Sequence, residues 1–206
     1  MTKERLFTRD RQFYRTFLPL LAVITLQQLA ALAVNMADNI MLGRYTELAL
    51  SGATLVNQLQ FILQQLVAGI GAGVAVLGSQ YWGRKDIDPI RRITSVGVQF
   101  ALAAGLLFLL VTRFAPEPVL RVFTNDADVI AEGMRYLRLM CWTYVIFAVS
   151  NTLMYSLQSV ETAFIGTIMS VSTIIINISL NYCLIFGNFG APELGIVGAA
   201  VATLTS

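Results

Sequence analysis

The sequence predicts an all-α, polytopic membrane protein, and its composition is the first reason. Hydrophobic residues make up 56% of the chain, charged residues only 13%, and the mean hydropathy is +0.69. A soluble globular domain carries about 25% charged residues. The uncharged residues are grouped in long stretches, and an apolar helix of about 20 residues crosses the hydrocarbon core of a bilayer. We therefore expect a bundle of spanning helices with the lipid bilayer as its main partner.

Residues 1–15 are predicted to form a basic tail, and residues 16–206 one transmembrane unit with five complete spans and the start of a sixth. Pro19 lies in the first turn of the first span, where its missing N–H does no harm. Pro116 and Pro118 are predicted to break the helix after the third span. Thr124-Asn125-Asp126 indicates a helix N-cap. The predicted spans are about 17–42, 53–79, 93–112, 139–160, 163–186 and 194–206.

The second span is predicted to be shorter than the uncharged stretch that contains it. Leu48–Trp82 has no charged residue, but as one helix it would be about 52 Å long, against a core of about 30 Å. We expect the helix proper at 53–79, with the glycines of Gly69–Gly73 allowing close packing or a bend.

The sixth span is predicted to be incomplete. Residues 194–206 reach only about 20 Å as a helix. Gly198–Thr203 is typical of the middle of a packed helix, and no cap or charged flank follows. We therefore expect the chain to be part of a longer protein.

The distribution of Lys and Arg predicts that the N-terminus lies in the cytoplasm. We expect the protein to lie in the plasma (inner) membrane. Basic residues favour cytoplasmic loops. They are frequent in the tail and in the loop after span two, whereas the loop after span one has only Arg44. The arginines after span three do not fit, but early segments usually dominate orientation. Basic residues flank the spans instead of forming one patch, so no nucleic-acid partner is expected.

Asp38 is the residue that most strongly indicates a function. It is the only acid or base between Thr16 and Gly43, and the chain has no His. An ionised carboxylate at membrane depth costs about 2.5–3.5 kcal/mol or more, and such residues usually serve an ion or substrate pathway. We expect its partner to be a mobile cation or a proton. The alternative is a protonated carboxyl that only holds two helices together by hydrogen bonds.

Polar side chains follow single faces of spans one, two and five. Positions i, i+3, i+4 and i+7 of a helix share one side. The functional interpretation is a water-accessible substrate cavity. The alternative is interhelical hydrogen bonding, worth about 0.6 kcal/mol per contact. The residues predicted to line the cavity are Gln27, Asn35, Asn57, Gln60, Gln64 and Thr173.

Three segments, in order, make the chain resemble the N-terminal half of the multidrug and toxic compound extrusion (MATE) transporters. They are Asn35–Gly43 with its aspartate, Gly78–Asp86 after span two, and Asn177–Gly187 followed by Glu193–Ala200. The resemblance implies one six-helix lobe of a two-lobe transporter, with the second lobe missing. It also implies export of small organic, often cationic, compounds in exchange for H⁺ or Na⁺, with no cofactor and no enzymatic activity.

The resemblance further implies a cation or proton site formed by Asp38, Asn177, Asn181 and Thr203. Na⁺ at Asp38 and Asn177 is one option, and a proton on Asp38 is the other. Several family members carry a second aspartate where this chain has Asn181, so the site has at most one negative charge. If these residues form one site, Asp38 should lie within about 8 Å of an asparagine amide and border a cavity.

Three other functions are alternatives to export by a two-lobe transporter. A lipid-linked oligosaccharide flippase of the same superfamily should have basic residues facing the cavity, and the predicted spans have none. A half-length transporter acting as a homodimer is disfavoured by the strong charge bias of the first loops. An intramembrane enzyme lacks a nucleophile–base pair.

Overall fold

The computed structural model describes residues 11–160 and 163–206, and the tail residues 1–10 lie outside this range. The described chain is an all-α bundle, as predicted. Five of its helices are long and apolar enough to cross a membrane, and the last helix is shorter. The helices are α1 (Arg11–Tyr45), α2 (Glu47–Trp82), α3 (Ile87–Phe114), α4 (Pro116–Arg121), α5 (Ala127–Ser159), α6 (Ala163–Phe186) and α7 (Ile196–Thr205), with a short 3₁₀ turn at Asn188–Gly190 before α7.

Helix α2 is longer than predicted, because it continues without interruption from Glu47 to Trp82. Thr46 caps its start, where the threonine hydroxyl accepts a hydrogen bond from the Ala49 N–H at 3.0 Å. The prediction limited the helix to the thickness of the bilayer core, but backbone hydrogen bonding does not end at the membrane surface. Close packing at the glycine-rich patch is confirmed at Gly71, where a Cβ atom would overlap the Tyr155 ring.

The connection between α3 and α5 follows the sequence signals with one correction. The chain leaves helical geometry at Ala115, and Pro116 opens α4 at its first position. Pro118 does not break a helix and instead lies in the first turn of α4. The N–H groups of a first turn have no partners within the helix, so a proline there removes no helical hydrogen bond. The predicted N-cap of the next helix is confirmed: the Asp126 carboxylate accepts hydrogen bonds from the Asp128 and Val129 N–H groups at 3.0 and 3.3 Å.

Helix α5 also begins earlier than span four was predicted to begin, because the polar segment from residue 127 continues into it as one helix. It packs against α2, α3 and α7. Helix α1 packs mainly against α6, and α6 also packs against α7. The lobe therefore has two groups of helices, α2–α3–α5 and α1–α6–α7. The α5–α7 and α1–α2 contacts join these groups.

Small residues set the distance between α2 and α5. A Cβ atom added to Gly52 would lie 2.9 Å from the Gly133 backbone nitrogen. Val56 and Leu63 of α2 and Tyr144 of α5 belong to one hydrophobic core and are fully buried. The outer face of α1 is apolar and exposed, with Leu29 and Leu32 at 58% and 60% exposure. This surface is suited to lipid contact.

Substitution of Gly52 tests whether this close approach holds the lobe together. We expect Gly52→Ala to destabilise the full-length protein by about 1–3 kcal/mol, because the added methyl meets backbone that cannot move without shifting a helix. Gly83→Ala is the matched control, since a Cβ there meets only ordinary contacts at 3.6 Å or more. Thermal unfolding in detergent would measure both. Equal unfolding temperatures for the two variants would contradict this account of the interface.

Candidate cation site

Asp38 lies on α1 and faces the asparagines of α6. The Asn181 amide nitrogen donates hydrogen bonds to the Asp38 carboxylate at 2.5 Å and to the Asn177 amide oxygen at 3.0 Å. Both asparagines are buried, with 1% or less of their surface exposed. They share one face of α6 because they are four residues apart. The separation between Asp38 and the nearest amide is therefore well inside the predicted limit of about 8 Å.

Helix α7 brings hydroxyl groups to the same cluster. The Asn177 amide donates to the Ser206 hydroxyl at 3.4 Å, and the Thr173 hydroxyl donates to the Ser206 carbonyl at 3.2 Å. Thr203 donates to the Ala199 carbonyl of its own helix at 3.0 Å. The cluster thus joins α1, α6 and α7 through side chains predicted from the sequence, with Ser206 as an addition.

Tyr136 of α5 is a member of the cluster that sequence reasoning missed. It is 4% exposed, shares a side-chain hydrogen bond with Thr203 and interacts electrostatically with Asp38. The prediction assigned residues 113–138 to a polar segment outside the spans, so Tyr136 was not considered. The available signal was its place one turn before Met140 and two turns before Thr143, which are also buried.

The Asn181 amide oxygen is the unusual atom of this cluster. It is buried and has no hydrogen-bond partner among the described residues, while the nitrogen of the same amide donates twice. Leaving a buried acceptor unpaired costs about 1–3 kcal/mol. The cluster therefore presents an unused oxygen close to a carboxylate, an arrangement suited to a cation, a proton-bearing group or a water molecule.

Two ways of binding a cation are chemically open at this cluster. With the amide nitrogen pointing at Asp38, a proton can bind the carboxylate oxygen that Asn181 does not contact. If the Asn181 amide rotates by 180°, its oxygen joins those of Asp38 and Asn177, and these hard oxygen ligands are the type that Na⁺ prefers. In the described ranges, no three His, Cys, Asp or Glu side chains are grouped closely enough to hold a metal ion.

The residues predicted to line a substrate cavity make different kinds of contact in this lobe. Thr173 belongs to the Asp38 cluster through Ser206. Gln27 accepts from the Gln158 amide at 3.5 Å, so it forms an interhelical contact. Asn35 is exposed and donates to the Ala31 carbonyl of its own helix at 3.0 Å.

The predicted residues of α2 are also dispersed. Gln64 is exposed, Asn57 is partly buried, and Gln60 has a buried side-chain oxygen without a partner among the described residues. A cavity of about 560 Å³ lies elsewhere, between α3 and α5, and neither Asp38 nor any of the six predicted residues lines it. The substrate cavity stays a prediction, because a polar helix face does not specify whether it meets a helix, lipid or water.

Taken together, the helices and the polar cluster between them define a multi-pass membrane protein built as one helical lobe. Residues 24–183 match the MatE family model, and the chain belongs to this family of transporters. It is 34% identical over 177 residues to "Probable multidrug resistance protein NorM" of Rhizobium meliloti, a match covering 86% of this chain and 38% of that protein.

A second relative and a solved structure agree with this assignment. The protein of the same name from Thermotoga maritima is 28% identical over 210 residues, covering 100% of this chain and 44% of its own length. A structure titled as the outward-facing conformation of a multidrug resistance MATE family transporter has a TM-score of 0.82 at 19% identity, over 98% of this chain and 45% of that one. This likeness supports the fold of one transporter lobe. The chain spans about two fifths of the length of the curated relatives described here.

Asn181→Asp tests whether this cluster can hold Na⁺. A second carboxylate within about 4 Å of a bound ion adds about 1–4 kcal/mol of attraction, so we expect Na⁺ to bind at least about fivefold more tightly. The measurement is the rise in thermal stability of the purified full-length protein as NaCl replaces choline chloride. Asn125→Asp, at an exposed position before α5, makes the same change outside the cluster, so it is the control and should leave the response unchanged. Identical Na⁺ responses in both variants would contradict a cation site at this position.

Proposed function

We propose that this chain is the N-terminal lobe of a secondary active transporter that exports small organic, cationic compounds in exchange for H⁺ or Na⁺. In this proposal a second lobe completes the substrate pathway, and the protein lies in the plasma (inner) membrane with its N-terminus in the cytoplasm. It needs no cofactor and has no enzymatic activity. Membership of the MatE family and the names of the relatives support export of drugs.

The observation that carries the proposal is the Asp38 carboxylate held between α1 and α6 beside the unpaired oxygen of Asn181. A carboxylate used only to join two helices would be expected to leave its partners fully hydrogen-bonded, because buried polar groups are normally paired. Here the partner keeps a free acceptor. This difference favours a group that binds and releases a charge over a permanent interhelical link.

The geometry suggests how ion binding would be coupled to movement. The Asn181 amide and an incoming cation compete for the same carboxylate, so occupation of Asp38 weakens or rearranges the polar link between α1 and α6. Helix α1 makes few contacts with α7 and moderate contacts with α2, so α6 is its main neighbour. A change at Asp38 is therefore transmitted first to the α1–α6 packing. In two-lobe transporters, alternating access arises when helical units rock around a shared site.

The charge of Asp38 is also available to a cationic substrate. Substrate and coupling ion cannot both neutralise one carboxylate, so binding of one favours release of the other. This competition is sufficient for exchange transport if both ligands reach Asp38 from opposite sides of the membrane in turn. It explains why a single negative charge in the lobe can serve both partners.

Asp38→Asn in the full-length protein tests the coupling role. We expect the variant to fold and insert but to lose gradient-driven export of ethidium or norfloxacin, because Asp38 is the only charged residue within the predicted spans of this lobe. Efflux from vesicles under an imposed H⁺ or Na⁺ gradient is the measurement. Asp88→Asn, an exposed acid in the first turn of α3, is the matched control and should retain export. Export by Asp38→Asn at the wild-type rate would move the coupling step to the second lobe.

A further inference from the structure

The cavity between α3 and α5 is separate from the Asp38 cluster and lies at one end of the two helices. These helices run antiparallel and approach closely at Gly105, where a Cβ atom would be 2.9 Å from the Val145 Cα atom. Towards the start of α3 they are linked instead by the Thr94 and Ser156 hydroxyls, which are 2.7 Å apart. A groove of about 560 Å³ opens beside this hydrogen bond.

The mouth of the groove lies at the level expected for lipid headgroups. Trp82 ends α2 just before the loop to α3, and aromatic residues of this type favour the membrane–water interface. Arg91 is the fifth residue of α3 and lines the groove, about 6 Å along the helix from its start. Val160, at the end of α5, lines the opposite side.

The lining changes in character along the groove. Arg91, Ser95 and Gln99 are exposed on α3 at successive turns, while Val98, Leu153 and Leu157 provide apolar surface. Side chains on a helix point towards its N-terminus, so the Gln99 amide is directed back towards Arg91. The groove thus offers a cation, then hydroxyl and amide donors, next to an apolar wall.

The local charge favours an anionic occupant. Residues 83–92 contain four basic residues, Arg84, Lys85, Arg91 and Arg92, and two acids, Asp86 and Asp88. Within the described ranges, the ion pairs join Arg121 to Glu117 and Arg135 to Glu132, at the other end of the bundle. The guanidinium of Arg91 is consequently available to bind a phosphate through two parallel hydrogen bonds.

We propose that this groove is a binding site for an anionic phospholipid of the adjacent leaflet. The phosphate lies against Arg91, the ester oxygens accept hydrogen bonds from Ser95 and Gln99, and an acyl chain follows Val98, Leu153 and Leu157. Basic pockets between membrane helices are suited to such headgroups. The site does not depend on what the protein transports, so the two proposals can fail independently.

Native mass spectrometry of the full-length protein, incubated with equal amounts of phosphatidylglycerol and phosphatidylcholine, tests this site. We expect the wild-type protein to retain phosphatidylglycerol preferentially. Arg91→Gln should retain about fivefold less phosphatidylglycerol, because it loses about one basic contact. Arg92→Gln makes the same charge change at a neighbour that does not line the groove, and it should reduce retention by less than about twofold.

Two further variants separate the site from general effects of charge or folding. Ser95→Trp fills the groove without changing the charge and should also lose phosphatidylglycerol. Arg91→Lys keeps the charge but not the two parallel hydrogen bonds of the guanidinium, so it should retain an intermediate amount of phosphatidylglycerol. This variant tests the site even if Arg91→Gln folds poorly. Excess glycerol phosphate should not displace the lipid, because it lacks the acyl chains.

Several outcomes would overturn the proposal. If Arg91→Gln and Arg92→Gln lost equal amounts of phosphatidylglycerol, the binding would reflect only diffuse attraction between the basic loop and the anionic lipid. Displacement of the lipid by glycerol phosphate would indicate a site for free anions. Failure of the wild-type protein to prefer phosphatidylglycerol would mean that something else, such as the second lobe, covers the groove.

Discussion

The hydrogen bond between the Asp38 carboxylate and the Asn181 amide is the interaction on which the functional arrangement of this lobe depends. A charge within a membrane helix is stable only if polar groups surround it. The neighbours of Asp38 meet this requirement, since α6 supplies two buried asparagines and α7 supplies hydroxyl groups. The association of α1, α6 and α7 is thus tied to one carboxylate.

The other group of helices determines where this cluster lies. Close contact between Gly52 and Gly133 holds α5 against α2, and α5 in turn packs against α7. This packing brings Tyr136 next to Thr203 and within electrostatic reach of Asp38. The glycines of the α2–α5 interface have no side chains to contribute to the cluster, yet they help to define the surroundings of the carboxylate. Packing and site chemistry are therefore linked through α5.

Much of this organisation could be predicted from the sequence because membrane helices are long, apolar and strongly periodic. The approach of Asp38 to Asn181 was implied by the family resemblance, whereas spacing alone placed Asn177 and Asn181 on one face of their helix. The length of α2 was not, since uncharged residues do not reveal where a helix leaves the bilayer. The direction of the Asn181 amide was also beyond sequence reasoning, because it depends on which acceptors surround it. Tyr136 was missed because span four was predicted to begin at residue 139, whereas the helix already begins at Ala127.

The most direct test of the central claim is infrared difference spectroscopy of the full-length protein as the coupling ion is exchanged. If Asp38 and Asn181 form the exchange site, raising Na⁺ or lowering the proton concentration should change the carboxyl band of Asp38 together with an asparagine amide band. Both changes should be absent from Asp38→Asn. A carboxyl band that is unaffected by either ion and by substrate would contradict the account and assign Asp38 a purely structural role.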